Sequence, residues 1–190
     1  MRWRIISASV LMSVALQAAA AEAGGVQLAD SVRIEGQTLR LNGAGVREKF
    51  VFKAYAIGLY LPQPAESLDA IRNMPGPRRI ELVALRELTA DQLCDALNEF
   101  LHKNHSAPEL IRLQARIDSL NRIMQSVGLA TKNTRFDLDY LPGTGTRILV
   151  NGNKVGEDIP GEDFNLALLK IWLGREVPQE SLRTALLGQK

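Results

Sequence analysis

The stretch Phe50–Leu61, FVFKAYAIGLYL, alternates with a period of two residues, the spacing of a β-strand. One alternate set is Phe50, Phe52, Ala54, Ala56, Gly58 and Tyr60; the other is Val51, Lys53, Tyr55, Ile57 and Leu59. Both sets are largely apolar, so the strand is expected to lie inside a sheet and to be covered on both faces. Lys53 and Tyr55 then carry polar ends into mostly buried surroundings and need partners there. Just upstream, NGAGVREK sets Arg47 in a glycine-containing segment. In that segment Asn42-Gly43 reads as a tight turn.

The chain opens differently. Arg2 and Arg4 precede an uncharged run, Ile5 to Ala21, with small-residue pairs at Ala19/Ala21 and Ala21/Ala23. This is the pattern of a secretory signal peptide, residues 1–23, and it implies a periplasmic or secreted protein. A membrane-spanning helix needs roughly 20 predominantly apolar residues, and this run is shorter and rich in Ala and Ser, so no stable anchor is expected after cleavage. Residues 24–190 are long enough for one domain with a real core. The formal charge of +2 belongs to the leader; without Arg2 and Arg4 the balance is about zero, which gives no basis for nucleic-acid binding. The single cysteine, Cys94, stands among apolar neighbours in a helical pattern and reads as a buried structural thiol.

Elements follow from turn and capping signals. VQLA, SVRIE and TLRLN read as short strands before the key strand, SLDAIRNM as a short helical piece, and Arg79–Leu88 as a returning strand. Thr89-Ala-Asp-Gln92 and Ser106-Ala-Pro-Glu109 fit capping boxes at the starts of two helices. Leu110, Leu113, Ile117, Leu120, Met124 and Val127 then form a core-facing stripe. A hairpin follows, TRFDLDYLP and TRILVNG about PGTG, with Asn151-Gly152 turning into a third short strand. An apolar helix spans Glu162 to Leu173, and a last one runs between Pro178 and Gly188. The order predicts an α+β domain, an antiparallel sheet with helices packed on one face.

Two blocks carry a family resemblance. GVR followed by FVFKAYAIGLYL, and the run Tyr140–Gly188 from YLPGTGTRILVNG to LRTALLG, resemble the chalcone isomerases. They are still more similar to the bacterial chalcone isomerase-like proteins that carry a signal peptide. The resemblance covers most of the chain after the leader. It implies an open-faced sandwich with a cleft between sheet and helices, and it makes Arg47, on the matching GVR, the anion-binding arginine. A guanidinium suits that task because it stays charged and holds its donors in a fork.

The same resemblance puts Tyr55 at the strand hydroxyl of the plant enzymes. Their active-site tyrosine and asparagine fall near Thr89 and Ala96, and a hydroxyl position on the later helix becomes Ile171. An anion hook is kept while polar lining becomes apolar. The expectation is therefore a binding protein for a small apolar anion, fatty-acid-like or flavonoid-like, held by Arg47, Lys53, Tyr55, Thr89 and Ile171. If the chain is instead an isomerase of the intramolecular lyase class, Arg47 stabilises the oxyanion and Tyr55 donates a proton or hydrogen bond. Related fatty-acid binders use an arginine and a tyrosine on the carboxylate. On one straight strand residues 47 and 55 would stand roughly 26 Å apart, so a shared ligand requires the chain to fold back near Glu48-Lys49.

Plainer roles stand beside these. Arg47 as a structural arginine would pair with Glu48 or Asp139, Lys53 as a surface lysine would snorkel, Tyr55 and Tyr60 would be core tyrosines, and Trp172 would pack in the core. No cofactor or metal is expected, with haem as a further alternative. His102 and His105, the only histidines, lie three apart at a polar helix end, where a solvated pair or a terminal cap is the commoner meaning.

Overall fold

The computed structural model of the protein describes residues 21–189. The expected signal peptide lies outside these residues apart from Ala21–Ala23, which form a short strand (β1). That strand pairs with Val26–Leu28 (β2) in a small separate hairpin whose turn, Gly24-Gly25, takes positive φ at both positions. The next strands are Ser31–Ile34 (β3), Gln37–Lys49 (β4) and Phe52–Leu61 (β5). A short helix, Leu68–Arg72 (α1), leads to Arg78–Ala84 (β6). Leu88–Thr89 (β7) precedes two helices, Ala90–Asn104 (α2) and Ala107–Val127 (α3), and pairs with Leu129–Ala130 (β8) beyond them. Arg135–Leu141 (β9), Gly145–Val150 (β10), Asn153–Lys154 (β11), Glu162–Leu173 (α4) and Glu180–Leu186 (α5) complete the order.

Seven strands form one antiparallel sheet in the order β11-β10-β9-β6-β5-β4-β3. The helices cover one face, where Ile57, Leu59, Ile80, Leu82 and Phe136 meet apolar side chains of α2, α3 and α4. On the other face Ala56 and Val83 are covered by Ala23 and Leu28 of the small hairpin, and Tyr60 packs with Ile34, Leu39 and Leu141. Thus the middle of β5 is buried on both sides, as its two apolar sets require. The α+β architecture with helices on one face is that expected from the order of elements.

Local signals account for the helix starts. The Thr89 hydroxyl accepts from the backbone N–H of Gln92 at 3.2 Å, while the Gln92 side chain accepts from the Thr89 N–H at 3.1 Å. At α3 the Glu109 carboxylate accepts from both the N–H and the hydroxyl of Ser106. Cys94 is a free, buried thiol. At the β10–β11 turn Asn151 and Gly152 both take positive φ, which is why an Asn-Gly pair suits that hairpin.

The other Asn-Gly pair corrects the sequence expectation. Asn42-Gly43 makes no turn; β4 runs straight through it with a shift of register between Leu41 and Gly43. The pair serves as a docking point instead. The Asn42 side chain donates to the carbonyls of Ala65 and Leu186 at 2.9 and 2.7 Å and accepts from the Ala65 N–H at 2.8 Å. Gly43 lets the end of α5 lie against the strand, because a Cβ there would collide with the Ala185 carbonyl oxygen. Gly43→Ala should therefore destabilise the fold by about 1–3 kcal/mol, the cost of overpacking a close contact, measured by urea denaturation.

Tyr60 supplies a second expectation. Its hydroxyl is buried and unpartnered among the described residues, and burial pushes the phenol up to about 12. A tyrosine held protonated above its ordinary value near 10 contributes its full stability below pH 10 and loses it as the pH climbs toward about 12. Tyr60→Phe should flatten the alkaline fall in stability over that interval and leave neutral-pH stability equal or higher, read from denaturation curves at stepped pH.

Candidate functional site

The geometry begins with the pairing of β4 and β5. The chain turns at Phe50-Val51, so Arg47 lies directly across from Tyr55. The fold-back expected near Glu48-Lys49 is present, displaced by two residues. Glu48 then opposes Lys53, which leaves Ala54 as an extra residue without a partner in β4. This is a β-bulge, and it breaks the two-residue alternation. Phe52, Ala54 and Tyr55 all line the inner side, whereas Lys53 turns outward and is exposed. Strict alternation had put Lys53 on the same face as Tyr55; the bulge separates them.

Between the sheet and α2, α3 and α4 lies a cavity of about 620 Å3, a volume typical of small-molecule sites. Its interior is apolar: Leu82, Phe136 and Leu138 from the sheet, Leu97 from α2, Met124 from α3 and Ile171 from α4. Charge is confined to the rim, with Arg47, Glu48, Lys49 and Arg86 on the strand side and Asp95 and Glu99 on α2. The rim of the hairpin is held in place from behind, since the Glu48 N–H donates to the Gln179 side chain at 3.0 Å.

Arg47 is half-buried and forms no ion pair among the described residues. Its guanidinium donates only to the backbone carbonyl of Glu48. Asp139, one carboxylate that a structural arginine would have claimed, accepts a bidentate pair from Arg79 at 2.6 and 2.7 Å. Arg47 thus retains donors and a full positive charge at the mouth of an apolar cavity.

Tyr55 stands beside it. Its hydroxyl accepts from Trp172 Nε1 at 3.0 Å, and no acceptor for its own hydrogen exists among the described residues. Burial pushes the phenol above its ordinary value, outweighing the Trp172 hydrogen bond and the Arg47 charge, which act downward. At neutral pH Tyr55 is therefore an uncharged donor. Together Arg47 and Tyr55 offer a charged fork and one neutral hydroxyl, a set suited to a carboxylate or a phenolate.

The remaining candidates fall elsewhere. Thr89 is exposed and is occupied in capping α2, just outside the cavity. Ile171, 2% exposed, forms part of the floor. His102 and His105 donate from Nδ1 to the carbonyls of Asn98 and Leu101, at 2.7 and 2.8 Å. Neither imidazole lines the cavity, so the pair offers it no axial ligand for haem. Trp172 was expected only to pack; it also fixes Tyr55. No sequence signal links them, because 117 residues separate the two.

Trp172→Phe should leave the Tyr55 hydroxyl without its donor and cost about 1–3 kcal/mol. Adding Tyr55→Phe should cost clearly less than the sum of the single changes, a coupling read from a double-mutant cycle of urea denaturation followed by circular dichroism.

Comparison with known proteins bears on the family and the fold. The family described as chalcone isomerase-like matches residues 20–188. Among solved structures the chain is similar to the crystal structure of a fatty-acid binding protein from Arabidopsis thaliana, with 18% identity and a TM-score of 0.65. The match covers 86% of this chain and 92% of that one, and at such identity it bears on the fold. No curated protein matches the chain.

Proposed function

This chain belongs to the chalcone isomerase-like family, and from that premise we propose that it binds a small apolar anion, fatty-acid-like or flavonoid-like, in the cavity between sheet and helices. One observation carries the proposal. An arginine without a carboxylate partner among the described residues and a neutral tyrosine sit together at the entrance of a cavity whose interior is apolar. The anionic head would take the Arg47 fork and the Tyr55 hydroxyl. An acyl tail would supply most of the affinity at about 0.8 kcal/mol per buried methylene. The similarity to a protein named for fatty-acid binding supports a carboxylate as the first ligand to try. Residues 1–23 carry the leader pattern, and the proposal places the mature chain in the periplasm or outside the cell.

An isomerase role would use the same two groups, Arg47 on the oxyanion and Tyr55 as donor. Binding is favoured because the wall beyond them, at Ala96 and Ile171, is apolar. Each preorganised donor missing from a ring-closing site forgoes about 3 kcal/mol of transition-state stabilisation.

The test is native mass spectrometry of the protein recovered from the periplasmic fraction of a Gram-negative host. The expected spectrum shows a chain without its leader and a co-purifying organic anion. Arg47→Ala should lose about ten- to a hundredfold in affinity for a long-chain fatty acid, with unchanged circular dichroism and little change toward the neutral alcohol of equal length. Unchanged retention of the acid by Arg47→Ala would remove the site. An empty wild-type protein that cyclises an added chalcone would make it an isomerase.

A further inference from the structure

The tip of the β4–β5 hairpin is apolar where hairpin tips are ordinarily polar. Phe50, Val51 and Phe52 are 90%, 87% and 58% exposed, three of the five exposed large hydrophobic residues in the described chain, and they are consecutive. Phe50 moreover adopts φ 56, a left-handed conformation that glycine or asparagine takes at far lower cost than an aromatic residue. The fold thus holds two aromatic rings and a valine in water, one of them in an unfavourable backbone conformation. Neither feature helps folding.

The surroundings of the tip show what it would meet. Arg47, Lys49 and Lys53 lie on the hairpin against a single carboxylate, Glu48. Arg86 stands over the Phe52 ring, 5.3 Å from its centroid. Two further acids at the cavity mouth, Asp95 and Glu99, sit on α2, and Glu99 is engaged by Lys103; Glu87 follows Arg86 in the chain. Apolar side chains ringed by lysines match the two-part demand of an anionic lipid surface: rings for the headgroup boundary and cations for the phosphates. A second copy of the chain fits less well, because two apposed tips would bring like-charged lysines together. No helix among the described residues is long and apolar enough to cross a membrane, so any attachment through this tip is peripheral.

We propose that the β4–β5 hairpin is a membrane-docking tip, in which Phe50, Val51 and Phe52 enter the headgroup region of an anionic bilayer while Lys49 and Lys53 contact lipid phosphates. Phe50, Phe52 and Lys49 also line the cavity mouth, so docking sets that mouth against the lipid and allows an amphiphile to pass without crossing water. The passage rests on the binding role proposed above; the docking does not.

The experiment is vesicle co-sedimentation of the purified protein, with phosphatidylcholine alone or mixed with phosphatidylglycerol. Val51 and Lys53 are the informative positions because both are exposed and neither lines the cavity. Wild type should sediment with the anionic vesicles and be released by salt. Val51→Asp should lower partitioning by about tenfold or more, and Lys53→Glu by about fivefold or more on anionic vesicles only. A Val51→Trp reporter should shift to the blue and be quenched by brominated lipid. All the proteins carry the same N-terminus, so any contribution from residues 1–20 cancels in the comparison. Fatty-acid displacement by a fluorescent probe, run on the same samples, should be unchanged in both variants. Docking by a wild type that retains no fatty acid would defeat the binding role and leave the docking tip standing. Absence of sedimentation, equal sedimentation of Val51→Asp, an unshifted reporter, or a dimer that Val51→Asp disperses would each overturn the docking tip.

Discussion

The antiparallel pairing of β4 with β5, including the bulge at Ala54, is the constraint on which the candidate site depends. It converts a sequence separation of eight residues into a cross-strand pair, Arg47 opposite Tyr55. The bulge then turns Phe52 to the inner side with Tyr55 and Lys53 to the solvent. Without the extra residue a lysine would replace an aromatic ring at the cavity mouth. Other elements hold this arrangement from outside: α5 lies flush on β4 at Gly43, Asn42 ties the strand to the Ala65 and Leu186 backbones, and Gln179 holds Glu48.

Electrostatics gives the site its direction. Four of the sheet's other arginines are taken: Arg78 by Glu162, Arg79 by Asp139 and Asp137, Arg135 by Glu81, Arg147 by Asp158. Those pairs neutralise charge on the sheet and leave nothing for a ligand. Arg47 differs from these four in that, among the described residues, its guanidinium meets only a backbone carbonyl, beside a tyrosine that burial keeps protonated. A cation without a carboxylate partner among the described residues and an apolar interior would orient the proposed amphiphile head outward and tail inward. They would also leave its head close to the hairpin tip.

Much of the fold was legible because its signals are local. Both capping boxes, the Asn151-Gly152 hairpin, the helix Glu162–Leu173 and the buried Cys94 depend on a few adjacent residues and appear as read. Asn42-Gly43 misled for the same reason. A dipeptide that favours a tight turn also suits a strand that must accept a helix end without a Cβ, and only the position of α5 distinguishes these. Lys53 misled because alternation presumes an unbroken ladder, and a bulge leaves no clear mark in composition.

By itself, then, the sequence determined the types of element, their order, the helix caps, the family, and Arg47 and Tyr55 as the polar groups to watch. Tertiary structure alone decided that the two share a cavity mouth, that Trp172 fixes Tyr55 across 117 residues, that Thr89 and Lys53 stand outside the cavity, and that Phe50 and Val51 face water. The division has a physical cause. Propensity, capping and turn chemistry act within a turn or two of backbone, whereas register, bulges and the seating of helices depend on contacts between segments far apart in the chain.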